Sequence, residues 1–150
     1  MLERFAEFVG GITVCYKYIQ RIKNAEMTEL GLKGVHVSCL FYLNNHAQGL
    51  TAAQLCTLCA EDKAAISRVV SQLRAMGYIM PGSKKNYREP LILTEEGKQI
   101  AQKMNPLIEA WVGIGGDGLT DSQREVFYET LNIIATNLHH KLGENEKEKP

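Results

Sequence analysis

Long hydrophobic runs are missing from this chain of 150 residues. Its most apolar stretches, such as "FVGGITVCY", fall far short of the roughly 18 residues that a membrane helix requires, and Glu3, Arg4, Glu7 and Lys17 flank this one. No membrane role is expected. Net charge is missing as well: Lys plus Arg number 17 and Asp plus Glu number 17, so the whole-chain charge favours neither a polyanionic nor a polycationic partner. The start, "MLERFAEF", carries acids where a secretory signal would carry only bases, and no small-residue cleavage site follows. A cytoplasmic location with reduced cysteines is therefore expected. Cys56 and Cys59 form a C-x-x-C, but no second pair completes a zinc site, and His36 with Cys39, or His139 with His140, falls short of a metal-ligand set. No nucleophile-base-acid arrangement appears, and "GIGGDG" lacks both the Lys-Ser/Thr and the preceding strand of a phosphate-binding loop. Neither an enzyme nor a cofactor protein is expected, and no internal repeat is present.

One further absence is local and more informative. Between Lys63 and Arg88 lie Lys63, Arg68, Arg74, Lys84, Lys85 and Arg88, with no Asp or Glu among them. A basic face on a neutral protein follows, and the segments around it show how it is built. Leu2, Phe5, Val9, Ile12, Tyr16 and Ile19 step by three and four, and Phe8, Cys15 and Ile22 widen that face, so a first helix runs from about Leu2 to Lys23. After a turn at Leu30 and Gly31, Val35, Cys39, Tyr42 and Leu43 mark a second helix ending near His46. Thr51 and Gln54 form a capping box that opens a short helix to Cys59. Asp62 caps the next, whose buried stripe of Ile66, Val69, Val70 and Leu73 ends at Gly77. "YIM" and "PLIL" read as strands of a hairpin around the basic tip "PGSKKNYRE". Thr94, followed by two glutamates, caps a helix lined by Ile100, Met104, Leu107 and Trp111, with a bend expected at Pro106. "GIGGDG" breaks the chain, and Thr120 with Gln123 opens a last helix through Phe127, Leu131, Ile134 and Leu138 to about Leu142, with a frayed tail beyond.

Helix, helix, short helix, helix, hairpin is the order of a winged helix-turn-helix. The stretches "GLTAAQLCTLCAEDKAAISRVVSQLRAMGYI" and "LTEEGK" resemble the helix-turn-helix and the strand-to-helix junction of the MarR family of bacterial transcriptional regulators. The resemblance runs from about Leu30 to Gly97 at motif level and covers the flanking helices in layout only. The fold class expected is mainly α (α+β), a winged helix-turn-helix with N- and C-terminal dimerisation helices. Within a single domain over 1–150, residues 1–30 and 106–142 would be the dimerisation helices, 31–97 the DNA-binding unit and 143–150 a disordered tail.

The helix wheel agrees with that reading. Opposite Ile66 lie Ala64, Ser67, Arg68, Ser71 and Ala75, flanked by Lys63, Ala65 and Gln72. Small side chains let a backbone approach base edges, Ser and Gln donate or accept there, and Arg68 can pair with guanine or a phosphate. An ordinary solvated helix face would also tolerate the alanines. The resemblance implies a wing arginine in the minor groove, for which the match is Arg88 of Asn86-Tyr87-Arg88. Asn stands there in place of the family's Asp, so Lys84 or Lys85 could take part of that role. Family members pair through their terminal helices, which implies a homodimer reading a palindromic operator in double-stranded DNA. The resemblance also implies release by a small-molecule effector, with Tyr16, His36, Tyr42 and Trp111 as candidate contacts. Cys15 lies too far into its helix to match the position at which some members sense oxidants, and Cys56 and Cys59 read as core packing. The function expected is a DNA-binding regulator, more often a repressor. The alternative is a winged-helix adaptor that binds protein without reading bases.

Overall fold

The computed structural model describes residues 2–81 and 89–147. Among these residues six α-helices follow one another: α1 (Leu2–Met27), α2 (Gly34–Asn44), α3 (Ala52–Cys59), α4 (Lys63–Ala75), α5 (Glu95–Gly115) and α6 (Asp121–Lys147). They divide between two compact units, Met1–Ile108 and Glu109–Pro150, with the boundary inside α5. No helix among the described residues is long and apolar enough to cross a membrane.

The first unit holds the core. Leu40, Leu55, Ile66, Leu73, Met27 and Met104 are all fully buried, and they come from five different helices. α2 packs on α1, α3 and α4, and α3 packs on α4. That position accounts for the sequence of α2, which buries Val37, Cys39, Leu40 and Leu43 around much of its circumference instead of showing one narrow stripe.

α1 continues past Lys23, where the apolar spacing alone would end it, because Met27 anchors its last turn in the core. Asn24 is used there as well: its Oδ1 accepts from the Gly34 backbone N at 3.0 Å, which satisfies one of the orphan donors opening α2. Between the two helices Thr28–Leu30 makes a single 3-10 turn, closed by Gly31 at φ 66°.

The expected hairpin is reduced, among the described residues, to two isolated antiparallel bridges. Ile79 pairs with Leu93, and Leu91 pairs with Leu50, a partner the hairpin reading did not include. Leu50 precedes the Thr51 cap, and with Leu55 it occupies the two positions of a hydrophobic staple; both are buried. One side chain thus serves the start of α3 and the edge of the wing.

α5 continues through Pro106 as one helix. Its buried face is Gly97, Ala101 and Met104, while Ile100, Leu107 and Trp111 of the expected stripe are half-buried. Gly97 explains the shift, since a Cβ at this position would run into the Tyr78 backbone carbonyl. The helix lies directly against main chain, and only small residues permit that approach.

In the second unit Gly116 closes the loop before α6, and Arg124 Nη2 donates to its carbonyl at 2.7 Å. The Thr120–Gln123 capping box forms as read: Thr120 N donates to Gln123 Oε1 at 2.9 Å and Gln123 N to Thr120 Oγ1 at 3.3 Å. α6 runs on to Lys147, past the end expected near Leu142, through glutamates and lysines of good helix propensity. His139 and His140 therefore lie inside the helix and not in its last turn.

Candidate nucleic-acid interface

The face that matters is presented by α4, and its two ends are fixed by local chemistry. Asp62 Oδ1 accepts from the Ala65 backbone N at 2.7 Å, capping the start. At the other end Gly77, at φ 78°, sends its N–H to the Arg74 carbonyl while Tyr78 N reaches the Leu73 carbonyl, each at 2.9 Å. This is a Schellman stop. Between these ends Ile66, Val69, Val70 and Leu73 are buried, so the opposite side of the helix must face outward.

The residues singled out from the sequence fall where the wheel put them. Lys63, Ala64, Ser67, Arg68, Ser71, Gln72 and Ala75 are exposed and Ala65 is half-buried. No hydrogen bond or ion pair joins Arg68, Ser67 or Ser71 side chains to another described residue. Gln72 differs. His36 Nε2 meets Gln72 Oε1 at 2.8 Å, and His36 Nδ1 accepts from the Lys33 backbone N at 2.9 Å. Because the Lys33 amide must donate to Nδ1, the ring proton sits on Nε2 and is given to Gln72. The glutamine's carbonyl is thereby committed within the protein, and its amide group is left for the outside.

This bond holds α4 to the start of α2, and no spacing pattern in the chain signals it. His36 is buried with both ring nitrogens engaged, which takes it out of the set of free effector contacts. Tyr16 is exposed on α1 and Tyr42 is half-buried on α2, with its ring edge-on to Phe41 at 5.5 Å. Trp111 belongs to the second unit. Lys84, Lys85 and Arg88, the wing residues expected to touch nucleic acid, lie outside the described residues.

The turn between α3 and α4 is made by Ala60 in the left-handed region, at φ 52°. Glu61 N bonds to the Cys56 carbonyl at 3.0 Å and Ala60 N to the Thr57 carbonyl at 3.3 Å. On the wing side, Thr94 Oγ1 donates to the Gly77 carbonyl at 2.6 Å and accepts from Gly97 N at 3.0 Å. Thr94 therefore caps α5 and ties it to the end of α4 in one step. Short helix, tight turn, outward-facing helix and bridged wing make up a winged helix-turn-helix.

Residues 30–82 match the MarR family. The helix-turn-helix segment of this chain is thus similar to that of the MarR family. The chain is similar in fold to a MarR-family transcriptional regulator from Silicibacter pomeroyi, with a TM-score of 0.78 at 23% identity over 91% of this chain and 92% of that one. It is similar also to a MarR-family regulator from Listeria monocytogenes complexed with a 26mer DNA, with a TM-score of 0.81 at 22% identity over 95% of each chain. A third likeness is to CouR from Rhodococcus jostii RHA1 bound to p-coumaroyl-CoA, with a TM-score of 0.72 at 20% identity over 89% of this chain and 91% of that one. No curated protein matches the chain in sequence.

Proposed function

We propose that this protein is a sequence-specific DNA-binding transcriptional regulator, a cytoplasmic repressor that acts as a homodimer on a palindromic operator. One observation carries the reading: α4 exposes a face of Ala64, Ser67, Arg68, Ser71 and Ala75 that contains no carboxylate, and no described part of the chain covers it. A helix whose backbone is screened only by alanine and serine can lie close to base edges in the major groove. Arg68 supplies a cation with no side-chain partner among the described residues, and Lys63 stands in the first turn of the same helix. The wing basic residues Lys84, Lys85 and Arg88 add phosphate or minor-groove contacts that position the helix without specifying sequence.

The fold shared with a regulator complexed with DNA supports this assignment. Release by a small-molecule ligand is part of the proposal, supported by the fold shared with CouR, which is bound to p-coumaroyl-CoA. Tyr16 and Tyr42 are the candidate contacts in the first unit.

The decisive experiment is footprinting on the DNA that flanks the protein's own gene, with binding to the protected fragment followed by fluorescence anisotropy. The expected result is a protected two-fold-symmetric site whose affinity falls when Arg68 is replaced by Ala. Binding that is equal on every sequence, or unchanged in Arg68→Ala, would sink the reading and favour a protein-binding winged helix.

A further inference from the structure

Cys39 and Cys59, apart in sequence, meet between α2 and α3. Their sulfurs are 3.8 Å apart and share a hydrogen. Cys39 is completely buried, whereas Cys59 is partly open to solvent. Lys23 reaches the same place from α1, with Nζ on Ser38 Oγ at 3.1 Å. Cys59 is the last residue of α3, and the residue after it is Ala60, held at φ 52° in the turn that launches α4.

We propose that Cys39 and Cys59 are a thiol switch, closing to a reversible intramolecular disulfide when the protein meets a hydroperoxide. The asymmetry of the pair assigns the two roles. The Cys39 S–H donates to Cys59, which draws the Cys59 thiol below its ordinary 9.0; the charge on Lys23 acts in the same direction, while burial and Glu61 oppose. The same hydrogen bond, with burial added, pushes Cys39 well up. Cys59, more acidic and more exposed, is the attacking thiolate. It takes the terminal oxygen of the peroxide, forming Cys59–SOH and releasing the alcohol or water formed from the other oxygen and one proton. The Cys39 sulfur then attacks the sulfenic sulfur. The S–S bond forms, the S–OH bond breaks, and the hydroxide leaves as water with the Cys39 proton. Two thiols lose two electrons and the peroxide gains them.

Closing the gap from 3.8 Å to the roughly 2.05 Å of a disulfide draws the end of α3 toward α2. The adjoining residue is already in a sparsely populated backbone region, so the shift passes into the turn and the Asp62 cap of α4. This consequence rests on the proposed reading of α4 as the DNA-contacting helix; the disulfide itself does not.

The full-length protein is to be treated with hydrogen peroxide, alkylated, digested and mapped by mass spectrometry, with DNA binding measured on the same samples. Two of its four thiols are expected to disappear, with one cross-link between the Cys39 and Cys59 peptides that dithiothreitol removes. In Cys39→Ala, dimedone should trap a sulfenic acid at Cys59; Cys15→Ser and Cys56→Ser should still form the cross-link. Operator affinity should fall about tenfold on oxidation and recover on reduction. Should Cys39→Ala fail to fold, the wild-type map and Cys59→Ser, at a partly exposed position, still decide. Four intact thiols, or a cross-link through Cys15 or Cys56, overturn the switch. A mapped Cys39–Cys59 bond with unchanged operator affinity overturns its regulatory role. Loss of DNA binding in the reduced protein also would strike the proposed function alone, with the mapped bond still supporting the thiol pair.

Discussion

At the scale of single residues, two backbone positions make opposite demands. Gly97 has the Tyr78 main chain against it, with the carbonyl carbon 2.9 Å from where a Cβ would stand. Main chain cannot rotate away as a side chain does, so Gly97→Ala must push α5 off the wing and should cost about 2 kcal/mol. A lowered urea midpoint with an unchanged slope would show it; an unaltered midpoint would mean that α5 does not seat on Tyr78. Ala60 is the converse case. Held at φ 52° in the turn after α3, it carries a Cβ where a glycine would be unstrained. Ala60→Gly should therefore gain stability, by about 1 kcal/mol, after subtracting the greater freedom of glycine in the unfolded chain. A midpoint that falls would show that Ala60 is not strained.

At the scale of elements, the recognition helix invites a test of what its surface does. Arg68→Ala removes a cation from the outward face of α4 and should weaken operator binding by about 1–3 kcal/mol, with relaxed preference at the base pair it reads. If Arg68 contacts only phosphate, the loss is uniform across sequences and the salt dependence becomes shallower. The starts of α3, α4 and α6 and the buried stripe of α4 were legible in the sequence because they are local: Thr51 with Gln54, Asp62 before Ile66, and Thr120 with Gln123 each act within one turn. So was the outward face of α4, since helix periodicity fixes it once Ile66 is buried. The contacts that escaped are those between distant segments. No spacing rule pairs Leu50 with Leu91, His36 with Gln72, or Cys39 with Cys59, and each depends on how the helices pack. Cys56 and Cys59 read as core packing and are each only half-buried, and the sulfur that meets Cys59 comes from α2.

At the scale of the whole molecule, the terminal helices are unfinished surfaces. α1 spans Leu2–Met27 and buries only Met27, while α6 has no buried side chain among those described. Phe5 is 64% exposed on α1, and on α6 Phe127 and Leu138 are 56% and 57% exposed. Apolar side chains exposed on each of these helices are costly to leave in water, and a second copy of the chain is the partner that would cover them. Pairing would also supply two recognition helices for half-sites about one turn of DNA apart. Light scattering at micromolar concentration should thus give twice the 16.8 kDa chain mass. Phe5→Glu and Phe127→Glu distinguish this from a monomer with greasy helices. Because both residues are exposed within one chain, a carboxylate there should alter the fold of the chain little. Under a partner it would be buried without a counter-charge, at several kcal/mol per copy. The expected outcome is a helical protein of single-chain mass that has lost most of its affinity for the full operator and far less for a half-site. A wild-type monomer, or variants that still pair, would mean that these helices meet something other than their own copies.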